Sequence, residues 1–293
     1  MSGQPFFSVV IPTCHRNDLL AQCLDRLAPE KQRLAAERYE VIVSDDGRDS
    51  TAEEMIATSY PWAQWVKGPC KGIAANRNNG SRKTRGEWLV FIDSDTLPES
   101  DCLVTYAEAV EKSPEAIAFE GAIHPLGDTA REWHHCPINL QGGLFWTANV
   151  AIRKDIFERV KGFDENYRAY HEDQDIYLRL LKIRDIEFLN KSVVFHPVRK
   201  NTFVSEYKTT SRRLKDWSYH VKKHGQELKQ ANVVSVTLSL AEFHARTFVR
   251  SLRSHYFATA LLYVIWLGIG MVLLPYYYLC QKTPIRFTPA AAA

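Results

Sequence analysis

The sequence has little that would staple or export a small domain. Its six cysteines, Cys14, Cys23, Cys70, Cys102, Cys136 and Cys280, contain no C-x-x-C pair. That excludes the usual zinc spacing and a planned disulfide framework, and it fits a reducing compartment. Met1 to Pro5 offers neither a basic stretch nor an apolar run of leader length, so the bulk of the chain is expected in the cytosol. No internal repeat is visible, and the one low-complexity tract is the closing Ala290 to Ala293. Disorder is excluded too, because 293 residues with 45% hydrophobic and 24% charged side chains suffice for one large or two small domains.

A strong net charge is also missing, but the formal +3 hides an asymmetry. Residues 1 to 198 hold 23 Lys+Arg against 30 Asp+Glu, whereas 199 to 255 hold 12 against 4. A nucleic-acid binder would spread basic charge over its folded body, so an acidic body with a basic tail argues against that partner and for a membrane surface. The tail continues into Tyr256 to Cys280, which has 25 residues without a charge. A spanning helix needs about 20 apolar residues. Arg246, Arg250 and Arg253 precede this stretch, which predicts the large domain on the cytoplasmic side of the cytoplasmic membrane. Gly268, Gly270 and Pro275 leave an in-plane or re-entrant helix open, and a buried core helix as well. Upstream, Arg199 to Lys229 reads as a basic amphipathic helix, either a solvated face or a patch for anionic headgroups. The expected division is 1–120 and 121–200 for two halves of the main body, 201–255 for the basic helical region, 256–280 for the membrane segment and 281–293 for a tail.

The first 120 residues alternate apolar strands with helical stretches: Phe7 to Ile11, helical Asp18 to Leu27, Tyr39 to Val43, helical Thr51 to Thr58, and Trp88 to Ile92. This predicts an α/β fold with a mostly parallel sheet covered by helices. Val9-Val10-Ile11 and Leu89-Val90-Phe91-Ile92 are apolar at every position, as strands buried on both faces are, and ligands then belong at their carboxyl ends.

Acidic residues stand at those ends. Asp45 and Asp46 follow Val41-Ile42-Val43, and Gly47 permits a tight turn, while Asp49 and Ser50 suit helix capping. Asp93-Ser94-Asp95 terminates the strand at Ile92, and carboxylates two apart in extended chain point the same way and can address one cation. Between them, Arg77 in Lys71 to Gly80 offers a planar fork to phosphate or a nucleobase. A third cluster, His171-Glu172-Asp173-Gln174-Asp175, opens a helical pattern, where the helix N-terminus favours the ionised carboxylate and capping is the plainer role.

In this order, Ser8 to Thr13, Val43 to Gly47, Ala75 to Gly80, Phe91 to Asp95 and Glu172-Asp173 resemble the family 2 glycosyltransferases of the GT-A fold over roughly residues 5 to 200. Gly142 to Asn149, followed by Gly162 to Glu165, is similar to the acceptor-side region of galactosyltransferase-like members. The resemblance implies a Rossmann-like nucleotide half, an acceptor half and a nucleotide-sugar donor, UDP-sugar first. Asp46 or Asp45 would hold the base, with Pro12, Thr13 and Arg77 lining that site. Asp93 would contact the ribose, Ser94 would belong to the donor site, and Asp95, with Asp93, would take a Mn or Mg ion. His196 falls where some members add a metal ligand, although a lone histidine after a strand is more often structural. Asp173, beside Glu172, would be the base that deprotonates a saccharide or polyprenyl-linked acceptor. Phe145, Trp146 and Asn149 would face that acceptor, with core packing the plainer role for the aromatics.

Two other classes fit less well. A sugar nucleotidyltransferase would want a glycine-rich phosphate loop after the first strand, where Pro12-Thr13-Cys14-His15-Arg16 has no glycine. A non-catalytic nucleotide-sugar-binding subunit would not need both Glu172-Asp173 and Asp93-Ser94-Asp95. Oligomeric state leaves no mark in the sequence.

Overall fold

A computed structural model describes residues 4–129, 134–200, 203–228 and 257–280. The elements, in chain order, are β1 (Phe7–Thr13), α1 (Asn17–Leu27), β2 (Tyr39–Asp45), α2 (Glu53–Ser59), β3 (Ala63–Lys67), α3 (Ile73–Ser81), β4 (Trp88–Ile92), β5 (Leu97–Pro98) and α4 (Cys102–Lys112). There follow β6 (Ala118–Leu126), β7 (His134–His135), β8 (Asn149–Arg153), α5 (Lys154–Arg159), α6 (Glu172–Leu181), β9 (Glu187–Pro197), β10 (Arg199–Lys200), α7 (Phe203–His224) and α8 (Phe257–Cys280). They form two compact units, one from Met1–Arg168 with Glu172–Lys200, the other from Ala169–His171 with Asn201–Ala290.

The first unit holds an eight-stranded sheet in the order β3-β2-β1-β4-β8-β6-β9-β5. Its first four strands are parallel, as the alternation of strands and helices predicts. The expected mostly parallel sheet needs correction beyond them: β8 runs antiparallel to both β4 and β6, β9 is parallel to β6, and β5 is antiparallel to β9, so the sheet is mixed. Every residue of β1 and β4 is buried. Alternation sends Val9, Ile11, Val90 and Ile92 into the core under α1 and α4, while Phe91 turns to the other face and meets Phe157 and Phe163 with ring centroids 5.4 and 5.0 Å away. On that face α3 lies close enough that a Cβ on Gly80 would meet Val10 Cγ1 at 2.7 Å, so a side chain there would push the helix off the sheet.

Register places the chemistry. Ile92 pairs with Asn149, so β8 begins where β4 ends and the residues before it, Trp146 to Ala148, are delivered beside Asp93. Leu97 pairs with Phe195, so the antiparallel β5 and β9 bring His196 alongside the Asp95 end of the β4–β5 turn.

In the second unit α7 and α8 pack through Leu214, Val221 and Leu274, joined by Trp217, Leu273, Tyr277 and Tyr278, and Ser211 Oγ lies 2.6 Å from the Tyr277 hydroxyl. The expected basic amphipathic helix is present as α7 up to His224; Lys229, Arg246, Arg250, Arg253 and the tail 281–293 lie outside the described residues. Among the described residues no helix is long and apolar enough to cross a membrane. The described side chains of α8 start at Val264, and that part contains Pro275 and Tyr276, Tyr277 and Tyr278, so the spanning reading of 256–280 gains no support from it.

Candidate active site

The site is assembled on the carboxyl ends of β1, β2 and β4. Here α3 works as a clip: Asn76 donates from Nδ2 to the carbonyls of Thr13 (3.2 Å) and Ser44 (2.9 Å) and accepts from Ser44 Oγ (2.6 Å), tying the ends of β1 and β2 to the helix. Asn78 reaches the other way, exchanging hydrogen bonds with the Phe163 backbone at 2.8 and 2.9 Å. The resemblance includes these asparagines only as motif letters, and their tethering role is visible only once the topology is known.

Arg77, between them, lines the cavity with its charge already shared between two carboxylates. Its buried guanidinium donates to Glu172 at 2.6 Å and to Asp93 at 2.7 Å, so it bridges the second and third acidic clusters. Burial works to lower the pKa of Arg77, but the charges of Asp93 and Glu172 outweigh it and the net shift is upward. Such a buried pair is strongly disfavoured from losing one partner, since the other would be left charged and alone.

The first cluster splits. Asp45 is buried, and its carboxylate accepts from the Gly47 and Ala52 amides (2.8 and 2.7 Å) and from Trp65 Nε1 (3.2 Å), so it closes the turn and is not available to a base. Asp46 is half-buried; its backbone N–H donates to Thr13 O and its Oδ1 accepts from the Cys70 amide at 2.8 Å. Burial raises the pKa of Asp46, partly offset by hydrogen bonds from the Cys70 and Gly72 amides. Pro12 is buried in β1 opposite Ser44, and the buried Thr13 Oγ1 has no partner among the described residues.

Asp93 and Asp95, with the buried Ser94 between them, meet His196: one ligand atom from each of the three lies within 4.8 Å of the others. Donors around a six-coordinate ion with bonds of about 2.1 Å span about 3–4.2 Å, so small side-chain adjustments complete such a site. His196 Nδ1 lies 3.0 Å from Pro197 O, which can only accept, and its Nε2 lies 3.7 Å from Asp95 Oδ2, so the ring is aimed at the carboxylate. Asp95 Oδ2 is also ion-paired to Arg16 Nη1 at 3.4 Å and to Arg199 Nη2, two arginines the sequence reading does not single out.

Arg77, Asp93, Glu172 and Asp173 line one cavity of about 260 Å³ with Pro137, Trp146, Thr147 and Ala148. Asp173 stands in the first turn of α6, where the helix end alone would favour its anion. Burial and the neighbouring Glu172 charge win instead, and the carboxyl is pushed up to about 8. On the acceptor side, Trp146 reaches the cavity whereas Phe145 is fully buried and stacks on Tyr177 at 5.2 Å. Asn149 is likewise buried, donating to Ala122 O and Ser192 O and accepting from the Tyr106 hydroxyl, so neither Phe145 nor Asn149 has a face for an acceptor.

The residue that sequence reasoning missed here is Glu120. Buried in β6, it accepts from Asn139 Nδ2, from the amides of Gly143 (2.7 Å) and Leu144 (2.9 Å) and from that of Phe145, and so holds the loop that carries Trp146. That loop takes left-handed backbone at Gly142, Gly143 and Phe145 (φ 80°, 84° and 49°).

The chain is 29% identical over 222 residues to validoxylamine A glucosyltransferase of Streptomyces hygroscopicus subsp. limoneus, covering 61% of this chain and 48% of that protein. It is 28% identical over 177 residues to glycosyltransferase AglE of Haloferax volcanii, covering 55% and 57%. The chain thus spans about half the length of the curated relatives it matches. Among solved structures, the mannosyltransferase PcManGT from Pyrobaculum calidifontis, in complex with GDP-Man and Mn2+, superposes with a TM-score of 0.61 at 18% identity, covering 96% of this chain and 88% of that one. S. aureus TarS in complex with UDP superposes with a TM-score of 0.56 at 15% identity, covering 97% and 94%. These likenesses give the fold, a mixed α/β arrangement of the GT-A kind. Residues 8–176 match the model of glycosyl transferase family 2, and the chain belongs to that family as a glycosyltransferase.

Proposed function

We propose that the protein transfers one sugar from a nucleotide-sugar, a UDP-sugar first, to a hydroxyl of a lipid-linked or nascent polysaccharide acceptor at the cytoplasmic face of the cytoplasmic membrane. The observation that carries this reading is the meeting of Asp93 with two sets of groups: Asp95 and His196 on one side, and Arg77, Glu172 and Asp173 around a single cavity on the other. A donor diphosphate lies naturally at the Asp93–Asp95–His196 side and the acceptor at the Trp146–Asp173 side. The relatives named above include structures with GDP-Man and Mn2+ and with UDP, which supports a nucleotide-linked donor without choosing its base.

Asp93, Asp95 and His196 would hold a Mn or Mg ion, whose charge stabilises the departing nucleoside diphosphate. Asp173 takes the proton of the acceptor hydroxyl while its oxygen attacks the anomeric carbon from the opposite side, a single displacement with inversion. Arg77 pairs with Asp93 and Glu172 and so holds both in place, while Asp173 beside them has no ion pair to Arg77 and is the carboxyl that takes the proton. Trp146 gives the sugar ring an apolar wall.

The membrane location rests on the second unit. The exposed basic residues of α7 include Lys208, Arg212, Arg213 and Lys215, and Val264, Ile265, Met271, Val272, Tyr276 and Leu279 of α8 are exposed. This combination suits a helix pair lying on an anionic bilayer, where a polyprenyl-linked acceptor resides.

A thermal-shift panel of UDP-, GDP- and dTDP-sugars with and without Mn2+ tests the donor, because a ligand bound only by the native state raises its melting temperature. A shift for one base class that needs Mn2+, together with slow release of free sugar from that donor, is the expected result. Equal melting with every nucleotide and no donor hydrolysis would overturn the reading.

A further inference from the structure

We propose that Arg199 is a surrogate cation for the metal site: its guanidinium holds Asp95 until a diphosphate draws it away, so that metal and diphosphate bind in concert. This deepens the nucleotide-sugar reading above and rests on it.

The contest is over one atom. Asp95 Oδ2 faces His196 Nε2, and the same oxygen is ion-paired to Arg199 Nη2 and to Arg16 Nη1. A divalent ion shared by Asp95 and His196 has to sit against that oxygen, where Arg199 stands. The two arginines are also free to leave. Their side chains are 40% and 46% exposed, against 4% for Arg77, which two carboxylates hold. Arg199 belongs to the two-residue strand β10, paired only with the two-residue β7 among the described residues.

Charge bookkeeping gives the contest a direction. Asp93, Asp95 and Glu172 supply three negative charges to the cluster, and Arg16, Arg77 and Arg199 supply three positive ones. The cluster is balanced as it stands. A divalent ion entering alone would have to displace a guanidinium that gains no new partner, and even with Arg199 withdrawn would leave one surplus positive charge in a partly buried place. A diphosphate entering with it restores the balance and offers Arg199 and Arg16 oxygens in the planar two-point geometry that guanidinium prefers. Arg199 therefore raises the cost of empty-handed metal binding and turns it into part of donor recognition.

The test measures Mn2+ bound to the full chain, from loss of the aqueous Mn2+ EPR signal, with no nucleotide present. Arg199→Gln should bind Mn2+ about tenfold more tightly than wild type, within the 5–150-fold usual for coupled sites, and Arg199→Lys, which keeps the charge, should stay near wild type. By reciprocity, Mn2+ should increase the thermal shift caused by UDP more in wild type than in Arg199→Gln. Unchanged or weaker Mn2+ binding by Arg199→Gln, with a normal melting temperature, overturns the proposal. If that variant melts early, Arg199→Ala read in the same way decides. Asp95→Asn separates the two levels of inference. If it loses Mn2+ binding while Arg199→Gln changes nothing, the metal site stands and the surrogate role falls. If Asp95→Asn binds Mn2+ as wild type does, the metal-dependent donor reading falls with it.

Discussion

Asp173, the base proposed above, would link stability to catalysis through a single carboxyl. Its pKa, near 3.8 in the unfolded chain, is pushed up to about 8 by burial and by Glu172. Between those values the native state holds a proton that the unfolded state has released, so this residue lowers stability progressively as pH rises from about 4 to about 8. Asp173→Asn removes the penalty. Its melting temperature should exceed that of wild type by several degrees at pH 8 and match it near pH 4, at roughly 2–4 °C per kcal/mol for a domain of this size. The same variant should lose transfer while retaining UDP binding, and wild-type transfer at saturating donor should rise with pH as the base form fills. A variant destabilised at pH 8, or one that turns over normally, would contradict the assignment. Asp45 makes the opposite case. Asp45→Ala leaves two amides and Trp65 Nε1 without their acceptor, so urea denaturation should register a loss of about 2–4 kcal/mol. A loss below 1 kcal/mol would mean that water replaces the carboxylate.

At the scale of elements, β1, β2 and β4 were readable because each is a continuous apolar run, closed in β2 and β4 by acidic residues, whereas the edge strand β3, Ala63–Lys67, was not foreseen. Nor were the strands β6, β8 and β9. β8 is only Asn149–Arg153, opens with a polar residue and pairs antiparallel with strands distant in sequence, so no local period announces it. The placements of Phe145 and Asn149 follow from that pairing, which explains why motif position alone put them at the acceptor. Glu120 was hidden for a similar reason: a single acid inside an apolar strand carries no spacing, and its partners lie more than twenty residues away apart from Asn139. In Glu120→Gln an amide NH2 must face amide donors, so the loop should loosen while the Asp93–Asp95 region keeps its form. Chymotrypsin should cut after Leu144, Phe145 or Trp146 faster than in wild type, with UDP affinity within about twofold, since sites without shared partners act nearly independently. Unaltered cleavage would show that the loop is held by something other than this carboxylate.

For the whole molecule, the small net charge of +3 conceals an acidic stretch over residues 1–198 and a basic one over 199–255. Two forces would act on the tail at a bilayer. Each Lys or Arg near an anionic surface contributes about 1 kcal/mol at moderate salt, and this attraction fades within a Debye length of roughly 8 Å. The apolar residues of α8 contribute a term that salt does not screen, and Val272 and Leu279, 70% and 73% exposed, have most to gain by entering lipid. The two terms can be told apart by co-sedimentation of the full chain with vesicles. Binding should be strong to phosphatidylglycerol-containing vesicles in low salt, weak to pure phosphatidylcholine, and much reduced in 0.5 M salt, a Debye length of about 4 Å. Val272→Asp with Leu279→Asp should abolish binding at every salt concentration, because buried carboxylates would face hydrocarbon. Equal binding to both vesicle types would remove the charge term, and binding that survives the double substitution would remove α8 from the contact and with it the argument that the tail brings the cleft to a lipid-borne acceptor.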